Sequence, residues 1–96
     1  MTKQRSNYLY ELVGIIREKK NNSKKERVGY KLTVEISNLE NIPFIQVWQD
    51  LIKDQQIWTT IEKDNYIDKK YLFYCQNWMG QYRLINWKEL TDHGSN

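Results

Sequence analysis

The sequence predicts an all-β fold, a small five-stranded barrel with one short helix, and three observations predict it. One segment alternates strictly between apolar and polar residues. Two aromatic-rich runs near the C-terminal end flank a two-residue turn, and the apolar period changes in only one stretch of the chain. The alternation is clearest in Val28-Gly-Tyr-Lys-Leu-Thr-Val-Glu-Ile36, where Val28, Tyr30, Leu32, Val34 and Ile36 interleave with Gly29, Lys31, Thr33 and Glu35. A period of two is the signature of a half-buried strand.

The remaining elements follow in order. Tyr8 to Arg17 places Tyr10, Leu12 and Ile16 on one face, with Gly14 where a strand bulges or bends, and reads as the first strand. The polar stretch Glu18 to Arg27 carries turn-forming Asn21-Asn22-Ser23 and makes a long basic hairpin tip. Past a turn at Ser37 to Pro43, the run Pro43-Phe-Ile-Gln-Val-Trp-Gln49 is a third strand, with Pro43 tolerable only at its start. Between Asp50 and Asp68 a helix gathers Leu51, Ile57, Trp58 and Ile61, with Asp50 or Asp54 as N-cap; the alternation of Ile57, Thr59 and Ile61 leaves part of this stretch open to an extended reading. Lys70 to Trp78 and Gln81 to Leu90 form a closing hairpin about Met79-Gly80. Five strands with a helix between the third and fourth match the order of an OB-fold, whose closure removes exposed sheet edges. One domain spans residues 1–96, with its core at about 7–90 and short frayed termini.

Composition narrows the function. A single Cys75 excludes an internal disulfide and fits a reducing compartment. The N-terminal apolar run is broken by Glu11 and Arg17, so neither a signal peptide nor a membrane span is expected. Net charge is +3, but residues 1–27 hold eight Lys and Arg against three Glu, whereas the rest of the chain is slightly acidic. Such a basic end is either a solvated loop or an electrostatic footprint. Four Trp, seven Tyr and two Phe exceed the roughly six to eight large side chains that so small a core absorbs, so several rings belong at the surface.

Catalytic and metal chemistry is not expected. One Cys, placed mid-strand, and one His, the fourth residue from the end, supply neither a ligand set nor a nucleophile with its base. The carboxylate pairs Asp50/Asp54 and Asp64/Asp68 lie in polar, Lys-containing stretches and read as solvated. The glycines at 14, 29, 80 and 94 are isolated, so no phosphate loop forms. No cofactor is implied.

What remains is a set of cations and rings suited to single-stranded nucleic acid, which needs charge for phosphates and aromatic faces for unpaired bases. Lys19, Lys20, Lys24, Lys25 and Arg27 fall on the first hairpin loop, and Lys31 and Thr33 on the non-core face of the second strand. Trp48 ends the third strand; Trp78 tops the fourth beside Gly80, Tyr82 and Arg83. Trp48 and Trp78 are open to binding or packing. Tyr10, Tyr30 and Tyr74 read as core, Trp58 as a cap on the barrel bottom, and Trp87 as core or subunit interface.

Three stretches resemble the bacterial and organellar single-stranded DNA-binding proteins and their relative, primosomal replication protein N. They are Asn7-Tyr-Leu-Tyr-Glu-Leu-Val-Gly14-Ile-Ile-Arg17, Phe44-Ile-Gln-Val-Trp48 before the helix, and Asp68-Lys-Lys-Tyr-Leu-Phe-Tyr74 in the closing hairpin. The similarity runs from Asn7 to Leu90. It implies an OB-fold, sequence-independent DNA binding, base stacking at Trp48 and at Trp78 or Tyr82, and a homodimer or homotetramer in the cytoplasm (nucleoid) or an organellar matrix or stroma. Members that recruit replication proteins carry a long tail with an acidic tip; this sequence stops at Asn96, so recruitment by that route is not expected and the short primosomal type is more similar. The glycine usual before the fourth strand is replaced by Lys69 or Lys70. RNA as ligand, and a protein-binding adaptor using the same rings as interface anchors, are the alternatives.

Overall fold

The computed structural model describes residues 9–36 and 44–90. Its elements are β1 (Tyr10–Asn21), β2 (Gly29–Ile36), β3 (Phe44–Trp48), a 3-10 turn at Gln49–Leu51, α1 (Gln55–Lys63), β4 (Lys70–Trp78) and β5 (Gln81–Leu90). The strands close in the order β1-β2-β3-β5-β4, and β4 returns to β1. All neighbours are antiparallel except β3 and β5, which meet in parallel at Gln46 and Arg83. This closure, with the helix between β3 and β4, is the OB-fold. Tyr8, the Ser37–Pro43 turn and the Asp92–Asn96 tail lie outside the described residues.

The inward face of each strand follows the apolar period. Leu12, Ile16, Leu32, Ile45, Val47, Phe73, Cys75 and Leu84 are fully buried in the barrel. Helix α1 closes its lower end with Ile57, Trp58 and Ile61, and the Trp58 ring lies 5.4 Å from that of Tyr30. Beyond the helix, Tyr66 is fully buried and its hydroxyl donates to the Ile61 carbonyl at 2.8 Å. Burial pushes this phenol well above its ordinary pKa. Trp87 joins the same aromatic group, stacked on Tyr71 at 4.1 Å. Burial also pushes the Cys75 thiol up to about 12, which makes it a packing residue with little thiolate at neutral pH.

Asp54 starts α1. Its backbone is extended and its Oδ1 accepts from the Gln56 amide at 2.9 Å, satisfying one of the amides that a helix start leaves unpaired. Asp54→Ala is expected to cost about 0.5–2 kcal/mol of stability, read as a lower urea midpoint with an unchanged slope.

The structure departs from the sequence reading in β1. Gly14 is not the bulge: it pairs regularly with Ile36, and a Cβ there would run into the Glu35 carbonyl, so the glycine permits close strand contact. The bulge falls at Arg17, between Ile16↔Val34 and Glu18↔Thr33. Pairing then continues to Asn21↔Tyr30, so Lys19 and Lys20 belong to the strand, and the hairpin loop shortens to residues 22–28. Arg17, left outside the ladder, pairs with Glu35 at 3.0 Å and Asp68 at 2.7 Å. Tyr74 is corrected as well. Tyr71, Phe73 and Cys75 take the inward phase of β4, which leaves Tyr74 half-buried on the outside.

No helix of the described residues is long and apolar enough to cross a membrane. Among those residues no three His, Cys, Asp or Glu side chains gather as a metal-binding group.

Candidate nucleic-acid interface

Cross-strand register places the outward side chains of β2, β3 and β5 on one surface. Residues paired across a sheet point to the same face, and one continuous row runs Lys20↔Lys31↔Gln46↔Arg83↔Gln76 from β1 to β4. The adjacent rows add Thr33↔Phe44 on one side and Gly29↔Trp48 on the other. The β1–β2 loop and the turn between β4 and β5 border this surface.

Three rings on it are each covered by a cation. The Arg27 guanidinium lies 4.4 Å from the Trp48 ring centroid, the Lys31 ammonium 4.6 Å from that of Phe44, and the Arg83 guanidinium 4.9 Å from that of Trp78. Such pairs are attractive because the ring face is electron-rich. They also keep cations beside aromatic faces, the combination that a nucleic-acid backbone and its bases require.

The large hydrophobics exposed among the described residues are Val28, Phe44, Trp78 and Met79. All four lie on this surface or on the loops that border it. Met79 is 86% exposed and holds a left-handed backbone with φ 51°, next to Gly80 at φ 87°. Two positive φ angles in succession make a tight hairpin turn that ordinarily takes Asn-Gly, and the Asn77 side chain braces it by accepting from the Gly80 amide at 3.1 Å. A residue with a Cβ is held there at a cost of about 1–2 kcal/mol.

The predicted site residues divide into those that this surface unites and those that it does not. Trp48, Trp78, Arg83, Lys31, Lys20 and Arg27 share it, and Lys24 and Lys25 stand exposed at the tip of the bordering loop, where the Lys24 and Arg27 backbones bridge. Trp48 is only 6% exposed: its ring lies over Gly29 and under Arg27, so it supports the surface from beneath. Lys19 is turned inward by the bulge. Its ammonium donates to the Ile61 carbonyl at 3.1 Å and pairs with Asp64 at 2.8 Å, which neutralises the C-terminal end of α1. Tyr82 points to the barrel end and meets Tyr10 edge-on at 5.4 Å, away from the rings on the outer face.

Three participants were missed in the sequence. Phe44 and Gln46 share the phase of Trp48, a signal that alternation alone carries. Asn22 donates to Gln46 Oε1 at 2.7 Å and ties the loop to the sheet; nothing in the sequence marks that pair.

Charge on the surface is mostly uncompensated. Arg27 is held by Asp50, its Nε donating to both carboxylate oxygens at 3.2 and 3.1 Å. Arg83 makes no ion pair among the described residues, and its pKa is lowered by burial first and by the nearby Arg27 charge second. No family model matches the chain, and neither a curated protein nor a solved structure matches it.

Proposed function

We propose that this chain binds single-stranded DNA through the outer surface of β2, β3 and β5, largely without regard to sequence and without catalysis. The observation that carries this reading is coincidence of place. The exposed large hydrophobics and three cation–ring pairs converge on the OB-fold face, between strands 2 and 3 and beside the 1–2 and 4–5 loops, where such barrels hold oligonucleotides. Trp78 and Phe44 are the rings that offer open area to bases, and Lys20, Lys24, Lys25, Lys31 and Arg83 the charges that meet phosphates. The strained turn supports the same reading, because keeping Met79 at the tip favours its side chain over ease of turning. Kinship with the single-stranded DNA-binding proteins belongs to this proposal, as does assembly into a homodimer or homotetramer, which half-buried Ile15, Leu72 and Tyr74 on the outer side of β1 and β4 support.

A titration of intrinsic Trp fluorescence with oligothymidylate and oligouridylate, at low and high salt, tests it. Quenching that salt reverses is the expected result, stronger with the deoxy strand. The Trp78–Met79 tip also favours a second reading, an adaptor that docks a protein on these side chains. An unchanged spectrum at low salt refutes nucleic-acid binding and leaves that adaptor.

A further inference from the structure

Two buried side-chain donors among the described residues lack an acceptor, Nε1 of Trp48 and Nε of Arg83. Both belong to the surface just described, on strands that are parallel neighbours. Buried N–H groups in native proteins are almost always paired, so two orphans in one place point to a missing partner. Since each orphan is a donor, the missing partner is an acceptor.

Charge narrows its identity. The Arg27 guanidinium covers Trp48, and it lies near enough to Arg83 to disfavour the charged form there. Asp50 is the carboxylate at this cluster, and both its oxygens are taken up by Arg27 Nε. Two guanidiniums against one carboxylate leave the cluster cationic, so an acceptor bearing negative charge pairs the donors and offsets the repulsion together. A neutral carbonyl does only the first. Base edges present donors among their acceptors, whereas a phosphodiester presents acceptor oxygens alone and matches planar guanidinium donors.

We infer that Trp48 Nε1, Arg83 and Arg27 form an anchor for one backbone phosphodiester, at the junction of β3, β5 and the β1–β2 loop. The inference rests on the proposed nucleic-acid reading and deepens it. It assigns Trp48 the part of a donor from beneath the surface, and leaves base stacking to Trp78 and Phe44. The anchor fixes the register of the strand, and the open rings take whichever bases follow.

The test follows the Trp48 Nε1–H and Arg83 Nε–H resonances of nitrogen-15-labelled protein during titration with oligothymidylate, and separately with inorganic pyrophosphate. Both resonances are expected to shift with either probe. Trp48→Phe keeps a ring and loses the donor; it is expected to weaken oligothymidylate binding about tenfold with an unchanged salt slope. Arg83→Gln is expected to lower that slope by about 0.7, the value for one phosphate contact on a single strand. Tight oligothymidylate binding with both resonances unmoved, and wild-type affinity in Trp48→Phe, overturns the anchor while the nucleic-acid reading stands. Shifts with pyrophosphate but no affinity for oligothymidylate overturn both.

Discussion

Trp78→Ala is expected to weaken oligothymidylate binding about 5- to 150-fold, the equivalent of about 1–3 kcal/mol for one stacked base. The size follows from the position of the ring. Trp78 stands at the end of β4, 53% exposed, with Arg83 4.9 Å from its centroid. Its outer area is thus open to a base while its attachment is held by a hairpin turn that Asn77 braces. The same exposure keeps the cost to folding small, about 0.5–1 kcal/mol for the lost cation–ring contact. Binding and stability should therefore separate. Trp78→Phe keeps a stacking face and should recover most of the affinity, while removing most of the fluorescence quenching, because Trp48 and Trp58 are shielded. Equal affinity for wild type and Trp78→Ala, measured by anisotropy of a labelled oligonucleotide, would remove this ring from the interface.

Gly29→Ala is expected to destabilise the barrel by about 1–3 kcal/mol through overpacking and to impair binding with it. Gly29 faces Trp48 across the β2–β3 ladder. A Cβ at this position collides with the Trp48 ring and comes within 2.7 Å of the Val47 carbonyl oxygen. Backbone cannot yield as a flexible side chain does, so the indole must leave its seat. Arg27 then loses the ring on which it rests, although its bond to Asp50 can persist. The expected signature is a lower thermal midpoint together with a red-shifted Trp emission, as a ring now 6% exposed becomes solvated. A blue-shifted or unchanged spectrum at full stability would show that the strand pair accommodates the methyl group without moving Trp48.

Much of this architecture was legible because each local signal agreed with the tertiary environment. The alternation over residues 30–36 is a true inside–outside pattern, although Val28, read inward with it, stands before the strand and exposed; Asp54 caps the helix, and Met79-Gly80 makes the turn. The surface was legible in part. Trp78, Arg83, Lys31 and Arg27 came from residue type and strand phase, and cross-strand register unites them. What the sequence hid depends on pairing between distant segments. Trp48 is buried because a glycine lies opposite it, and that pairing spans nineteen positions of the chain. Which of Lys19 and Lys20 turns inward is set by one extra residue before them, which no periodicity of charged side chains reveals. Tyr82 and Tyr10 meet only once β1 and β4 close the barrel.

The extra residue at Arg17 makes the length of β1 a form of information. Had the ladder run on regularly from Ile16↔Val34, with Arg17 paired to Thr33, every residue from Arg17 to Asn21 would show the opposite face. Lys20 would then fall opposite Tyr30 and turn toward the barrel interior, and Lys19 would leave Asp64 and the helix end to stand opposite Lys31 on the outer surface. The same composition, paired without the bulge, would thus exchange a structural lysine for a surface one. One irregular pairing step, and no change of residue type, therefore decides which of two adjacent lysines holds the helix and which joins the outer row.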